Sequence, residues 1–140
     1  MQEYNLNRFI DAQQSSYATA LLEIKNGRKR SHWMWYIFPQ MKGLGYSSTA
    51  QYYGISSIEE ASAYLSHPVL GKRLIEICNA LAALSSNNAS VIFGNPDDLK
   101  LHSSLTLFAS LKNADPVFKI LLDKFFNGNM DIKTLQLVSQ

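Results

Sequence analysis

The sequence predicts an all-α protein, a single compact domain of about six or seven helices over residues 1–140 with no substantial sheet. Three observations predict it. Apolar residues recur every three to four positions through most of the chain, and Ser, Asn or Asp, often beside Pro, stands where the apolar runs begin. Nowhere does a strict two-residue alternation persist long enough to mark a strand.

From Leu6 to about Asn26, the positions of Phe9, Ile10, Tyr17, Leu21 and Ile24 predict one helix, with Asn5 as its cap and Gly27 after its end. The runs Trp33 to Phe38 and Ser90 to Phe93 are short and continuously apolar, and periodicity alone does not classify them. Pro39 disfavours helical geometry at Phe38, so a turn of helix from His32 to Ile37, capped by Ser31, is expected. The chain then turns between Gln40 and Gly45, and Ser47 or Ser48 caps a short helix through Tyr53.

Ser57-Ile58-Glu59-Glu60 has the form of a capping box and starts a helix to about Leu65. Pro68 opens the next helix, whose Val69, Leu70, Leu74, Ile77, Leu81 and Leu84 form a broad apolar face. Asn95-Pro96-Asp97-Asp98 and Asn113-Ala114-Asp115-Pro116 start two more. The first carries Leu101, Leu105 and Phe108 on one stripe; the second carries Val117, Phe118, Leu121, Leu122 and Phe125 before Gly128 stops it. Asp131 caps a last helix from Ile132 to about Val138, and Pro68, Pro96 and Pro116 are all expected in first helical turns.

With 46% apolar and 17% charged residues, the chain has the composition of a packed protein rather than a disordered one. A net charge of +2 creates no strong field for nucleic acid or an anionic membrane, so any positive patch is local, as in Lys25, Arg28, Lys29 and Arg30. No apolar run is long enough to span a bilayer and the amino terminus lacks the pattern of a secretory signal, which makes the cytoplasm the expected compartment. Cys78 is the only cysteine and reads as a small buried hydrophobe. No two histidines have helical metal-ligand spacing, so no metal is expected, and no cofactor is expected either.

The aromatic stretch from Lys29 to Ser48 is where chemistry is sought. Trp33 and Trp35 offer faces for a nucleobase-like ring, Arg30 a phosphate partner, and Gly43 and Gly45 a turn whose amides can approach an anion beside Ser47 at a helix start. Ser31, His32 and Gln40 add polar groups, His32 being able to move a proton near neutral pH. A second set, Asp97, Lys100, Ser103 and Ser104, follows one helix, with Asp97, Lys100 and Ser104 at spacings of three and four; Lys100 could activate Ser104 or Ser103, or bind phosphate. Thus His32, Gln40, Lys100 and Ser104 are the candidate catalytic residues. Packing explains the same aromatics equally directly, His102 is expected on a solvated flank, and Gly43-Leu44-Gly45 matches neither a phosphate-loop nor a dinucleotide fingerprint.

Ser31-His32-Trp33-Met34-Trp35-Tyr36-Ile37-Phe38-Pro39-Gln40, Gly43-Leu44-Gly45, His67-Pro68-Val69-Leu70-Gly71, Ile92-Phe93-Gly94, Ser103-Ser104 and Thr106-Leu107-Phe108 resemble the family known as domain of unknown function 1810. The resemblance covers nearly the whole chain and implies a mainly helical fold without an established activity. Some members carry the label calpastatin, but a calpastatin-like inhibitory segment is polar, extended and poor in aromatics, unlike this chain.

Three function classes follow: a small-molecule site, a nucleic-acid module anchored at Lys25 to Arg30, and a helical interaction protein without chemistry. The modest charge counts against the second, and polar groups among aromatics favour the first, with a nucleotide-like or ADP-ribose-like ligand. Hydrolysis of an N-glycosidic bond enters by analogy with other helical families alone. Protein partners and oligomeric state are not legible in the sequence.

Overall fold

A computed structural model describes residues 4–139, which hold ten helices joined by short loops. They are α1 (Asn7–Gln14), α2 (Tyr17–Lys25), α3 (Met34–Ile37), α4 (Ser48–Tyr53), α5 (Ile58–Ser66), α6 (Leu70–Ala82), α7 (Ala89–Phe93), α8 (Asp97–Ala109), α9 (Pro116–Phe126) and α10 (Ile132–Val138). Seven have seven or more residues; α3, α4 and α7 are shorter. The all-α expectation holds, since extended backbone pairs among the described residues only in an isolated parallel bridge between Met41 and Ile55.

Local chemistry explains where the helices start. Ser47, Ser57, Asp115 and Asp131 each accept a hydrogen bond from an amide in the first turn of the helix they precede. Asn88 does the same for α7, so the run Ser90 to Phe93 is helical. The box at Ser57 lacks its reciprocal arm: Glu60 turns to the Ser56 amide and hydroxyl at 2.8 and 2.9 Å and pairs with Arg8 at 3.0 Å.

Several sequence expectations are corrected. The helix expected from Leu6 to Asn26 is two, broken at Ser15 and Ser16, where the Tyr36 hydroxyl donates to Ser16 Oγ at 2.8 Å. The break lets α1 pack on α3 while α2 packs on α6. The turn expected from His32 begins instead at Met34, with Trp33 at its cap, because Ser31 is bonded to Glu23. Only Pro116 lies in a first helical turn: Pro68 precedes α6, where His67 Nδ1 accepts from the Val69 and Leu70 amides, and Pro96 is the cap residue of α8. Asn95 does not cap α8 but donates its side-chain amide to Asp98 at 3.2 Å.

Helices α5, α6, α8 and α9 pack on one another around Tyr64, Leu70, Ile77, Leu81, Phe108 and Phe118, all essentially removed from water. Helices α7 and α10 flank α8, and α3 and α4 pack together beside α1. The buried Arg8 guanidinium joins these layers, donating to the carbonyls of Tyr52 at 2.8 Å and Gly54 at 3.1 Å while paired with Glu60. That clamp fixes the segment leading to Ile55, which exchanges backbone hydrogen bonds with Gln40 and Lys42 at 2.8 Å each. Gly54 permits the crossing, since a Cβ there would meet Lys42 at 2.8 Å. The loop after Gln40 thereby faces the amino-terminal half of α8 across a cleft.

Candidate functional site

The two tryptophans of the aromatic stretch divide between core and surface. Trp33, 1% exposed, donates its indole N–H to Glu23 Oε1 at 2.9 Å. The Glu23 carboxylate also accepts from the amides of Arg30 and Ser31, at 2.7 and 3.0 Å, and from the Ser31 hydroxyl at 2.5 Å. Burial alone would push this carboxyl up, yet the bonds from Ser31, Arg30 and Trp33 outweigh it and hold it at about 2. Glu23 therefore pins the loop that enters α3. Trp35 is half-buried and faces outward.

Trp35 lines two sizeable clefts and a small one of about 10 Å³ against Ala50 and Tyr53. The larger, about 430 Å³, lies between the loop after Gln40 and α8, bounded by Gln40, Leu44, Gly45, Leu99, Lys100 and Ser103, with Pro96, His102, Asp131 and Lys133 at its margins. Gln40 is only 8% exposed, and its Nε2 has no hydrogen-bond partner among the described residues. Gly45 belongs here for steric reasons: a Cβ at that position would approach Ala50 Cβ to 2.8 Å and the Trp35 ring to 3.3 Å.

The second cleft, about 300 Å³, includes Lys29, His32, Trp35, Tyr36, Asp97 and Lys100. Its charges are arranged in series. Lys29 Nζ and Lys100 Nζ approach opposite oxygens of Asp97, at 2.8 and 3.0 Å, and each ammonium lies over an indole, Lys29 at 5.1 Å from the Trp33 ring centre and Lys100 at 4.3 Å from that of Trp35. Burial would raise the Asp97 carboxyl, but its hydrogen bonds to Lys29 and Lys100 and their charges hold it below its ordinary range.

The expected site residues thus separate into groups. Trp35, Gln40, Gly45 and Lys100 meet at the larger cleft, while His32, Asp97 and Lys100 meet at the second. Trp33 and Ser31 are committed to the Glu23 anchor, and the exposed Arg30 contributes its amide to it. Gly43 is exposed with φ +108° beside Leu137, and Ser47 caps α4, apart from both clefts. Ser104 is 1% exposed and lies within the stripe of Leu101, Leu105 and Phe108, so it faces the core and not the Lys100 side chain.

His102 and Asp131 also stand at the larger cleft, and Ser103, expected in the second polar set, joins them there. His102 is not on a solvated flank: it stacks on Phe126 at 4.2 Å, and its Nε2 lies 2.8 Å from the Asn129 carbonyl. Ser103 reaches the larger cleft, donating to the Leu99 carbonyl and to Asp131 Oδ2, which also accepts from the Thr134 hydroxyl and amide. The apolar stripe of α8 carried the signal for Ser104, which stands beside Leu101, Leu105 and Phe108, whereas Ser103, on the other side of the helix, is buried against Asp131. Cys78 is fully buried, which pushes its thiol up and keeps it unreactive. Among the described residues no group of three or more His, Cys, Asp or Glu is placed to hold a metal, and no helix is long and apolar enough to cross a membrane.

A family model described as "Protein of unknown function (DUF1810)" matches residues 3–138. A crystal structure of a conserved hypothetical protein from Mycobacterium tuberculosis is similar with a TM-score of 0.95 and 47% identity, covering 98% of each chain. A search of curated proteins returned no match.

Proposed function

For this chain, which belongs to the DUF1810 family, we propose that the larger cleft binds a small molecule carrying a planar polar ring, of the nucleotide-like or ADP-ribose-like class. One observation carries the reading. A side-chain amide more than nine-tenths buried, with an unpaired N–H donor, costs about 1–3 kcal/mol, and Gln40 Nε2 is such a donor in the wall of a cleft. Turning that buried N–H into the cleft to meet a ring acceptor removes the cost. At about 430 Å³ the cleft falls within the ordinary range for small-molecule sites, about 300–1,000 Å³. Lys100 Nζ covers one face of the Trp35 indole at 4.3 Å, so a ligand ring would stack on the other face, with the ammonium across the indole from it.

Recognition rather than hydrolysis is the reading that these side chains favour. Among the described residues no histidine side chain is hydrogen-bonded to a serine hydroxyl or a carboxylate, which disfavours a histidine-activated nucleophile. Ser103 and Asp131 are bonded to each other beside the start of α10, and Asp97 holds two lysines.

The test is a melting-temperature screen with adenosine monophosphate, ADP-ribose, nicotinamide mononucleotide and free nucleobases. A ligand that binds only the folded chain raises the melting temperature with its concentration. The reading expects such a rise with at least one ring-bearing compound, absent in Gln40→Met. No rise across the panel, or the same rise in Gln40→Met, contradicts it.

A further inference from the structure

The second cleft carries more positive than negative charge in a sheltered place. Lys29, Asp97 and Lys100 have side chains 8%, 19% and 22% exposed, and one carboxylate is shared by two ammonium groups. Removing a cation from water is costly unless a countercharge replaces its hydration, and here one positive charge has only indole faces in compensation. Each ammonium has three donors and a single hydrogen bond to Asp97, so two donors on each remain for a further acceptor. His32 stands exposed at the same cleft and can add another.

We propose that this second cleft is an anion site, taking a phosphoryl group of a small ligand between Lys29 and Lys100 under His32. Phosphoryl oxygens satisfy several donors at once, which suits two ammonium groups fixed on one carboxylate. Asp97 then has two opposed effects: it holds the lysines in place and it competes with the anion for them. The site stands on its own charges and shares only Trp35 and Lys100 with the larger cleft. It rests on the ring-binding reading for one point alone, the identity of the group to which the phosphoryl is joined.

The experiment titrates the full chain with inorganic phosphate against chloride at matched ionic strength, following amide and side-chain signals by nuclear magnetic resonance. Saturable shifts are expected at Lys29, His32 and Lys100. Lys29→Gln should weaken binding about tenfold or more, and Lys29→Arg, which keeps the charge, should retain it if Lys29→Gln does not fold. Asp97→Asn, which keeps an amide oxygen to hold a lysine but removes the competing charge, should tighten binding several-fold. Absence of saturation in both the natural chain and Asp97→Asn, weaker binding by a folded Asp97→Asn, or equal shifts in Lys29→Gln overturns the proposal.

Two further arms separate the sources. Adenosine monophosphate should bind more tightly than inorganic phosphate, and a single-stranded oligonucleotide no more tightly than adenosine monophosphate. An oligonucleotide that binds more tightly and loses affinity in Lys29→Gln overturns the small-ligand assignment. Gln40→Met distinguishes the two clefts: retained phosphate binding there supports the anion site even if the nucleoside half gains nothing from Gln40, whereas joint loss counts against two separable sites.

Discussion

Trp33 donates its indole N–H to the Glu23 carboxylate at 2.9 Å inside the core, and this bond helps decide which of two neighbouring tryptophans faces the clefts. Trp33 is the cap residue of α3 and Trp35 stands in its first turn, so with the Trp33 indole bonded inward it is the Trp35 ring that lines the clefts. Replacing the two should therefore give different results. Trp33→Ala removes a fully buried ring and leaves Glu23 one donor short, with an expected loss of about 3–5 kcal/mol. Trp35→Ala should cost no more than about 2 kcal/mol, because part of its surface is already exposed, yet should remove the ligand-induced rise in melting temperature. Chemical denaturation of both variants checks the order.

Glu23 makes stability depend on pH in an assignable window. Its carboxyl is held at about 2 in the folded chain against an ordinary 4.5. A depressed carboxyl contributes its full stabilisation above the unfolded value and loses it as pH falls through the folded one, so the loss runs from about pH 4.5 down to about pH 2. The difference corresponds to about 3 kcal/mol. Glu23→Gln should be less stable than the natural chain at pH 7, and the gap should close as the solution is acidified. Denaturation curves measured across that range should converge; a constant gap contradicts the assignment.

Gln40→Met should stabilise the unliganded protein while removing its ligand response. Methionine fills a similar volume without the unpaired amide, so the expected gain is about 1 kcal/mol, and the backbone bond from the Ile55 amide to the Gln40 carbonyl is kept. Melting temperatures with and without ligand measure both effects. A loss of stability would mean that the Gln40 amide is satisfied in solution.

Gly45→Ala tests the close approach of the loop to Trp35 and α4. The added methyl carbon would meet Ala50 Cβ at 2.8 Å, closer than such carbons come without movement. An overpacking cost of about 1–3 kcal/mol is expected, with a displaced Trp35 and weaker ligand binding. An unchanged melting temperature would show that the loop stands farther from α4 than described.

Legibility in the sequence followed the range of the interactions. The caps at Ser47, Ser57, Asp115 and Asp131 are bonds within a few residues, and each was readable from its own segment. The break at Ser15–Ser16 was not, since apolar spacing continues through it and the Tyr36 hydroxyl that bonds Ser16 arrives from α3. Glu23 gave no local sign of its role, because its four donors come from the loop beyond α2. The pairing of Lys29 with Asp97 likewise joins distant segments, although the sequence put each beside a candidate site. Ser104 was a misreading of geometry already on the page: its own helix carries the apolar stripe that turns it inward.

The central claim, that the Trp35 side of the aromatic stretch binds a ligand while the Trp33 side packs the core, has a direct measurement. The chain has two tryptophans and hence two indole N–H signals in a nitrogen-15 spectrum, distinguishable with Trp33→Phe and Trp35→Phe. Titration with adenosine monophosphate or ADP-ribose should move the Trp35 indole and the Gln40 side-chain amide in a saturable way and leave the Glu23-bonded Trp33 indole in place. Movement of the Trp33 signal alone, or no movement of Trp35 and Gln40 with either compound at millimolar concentration, would contradict the account.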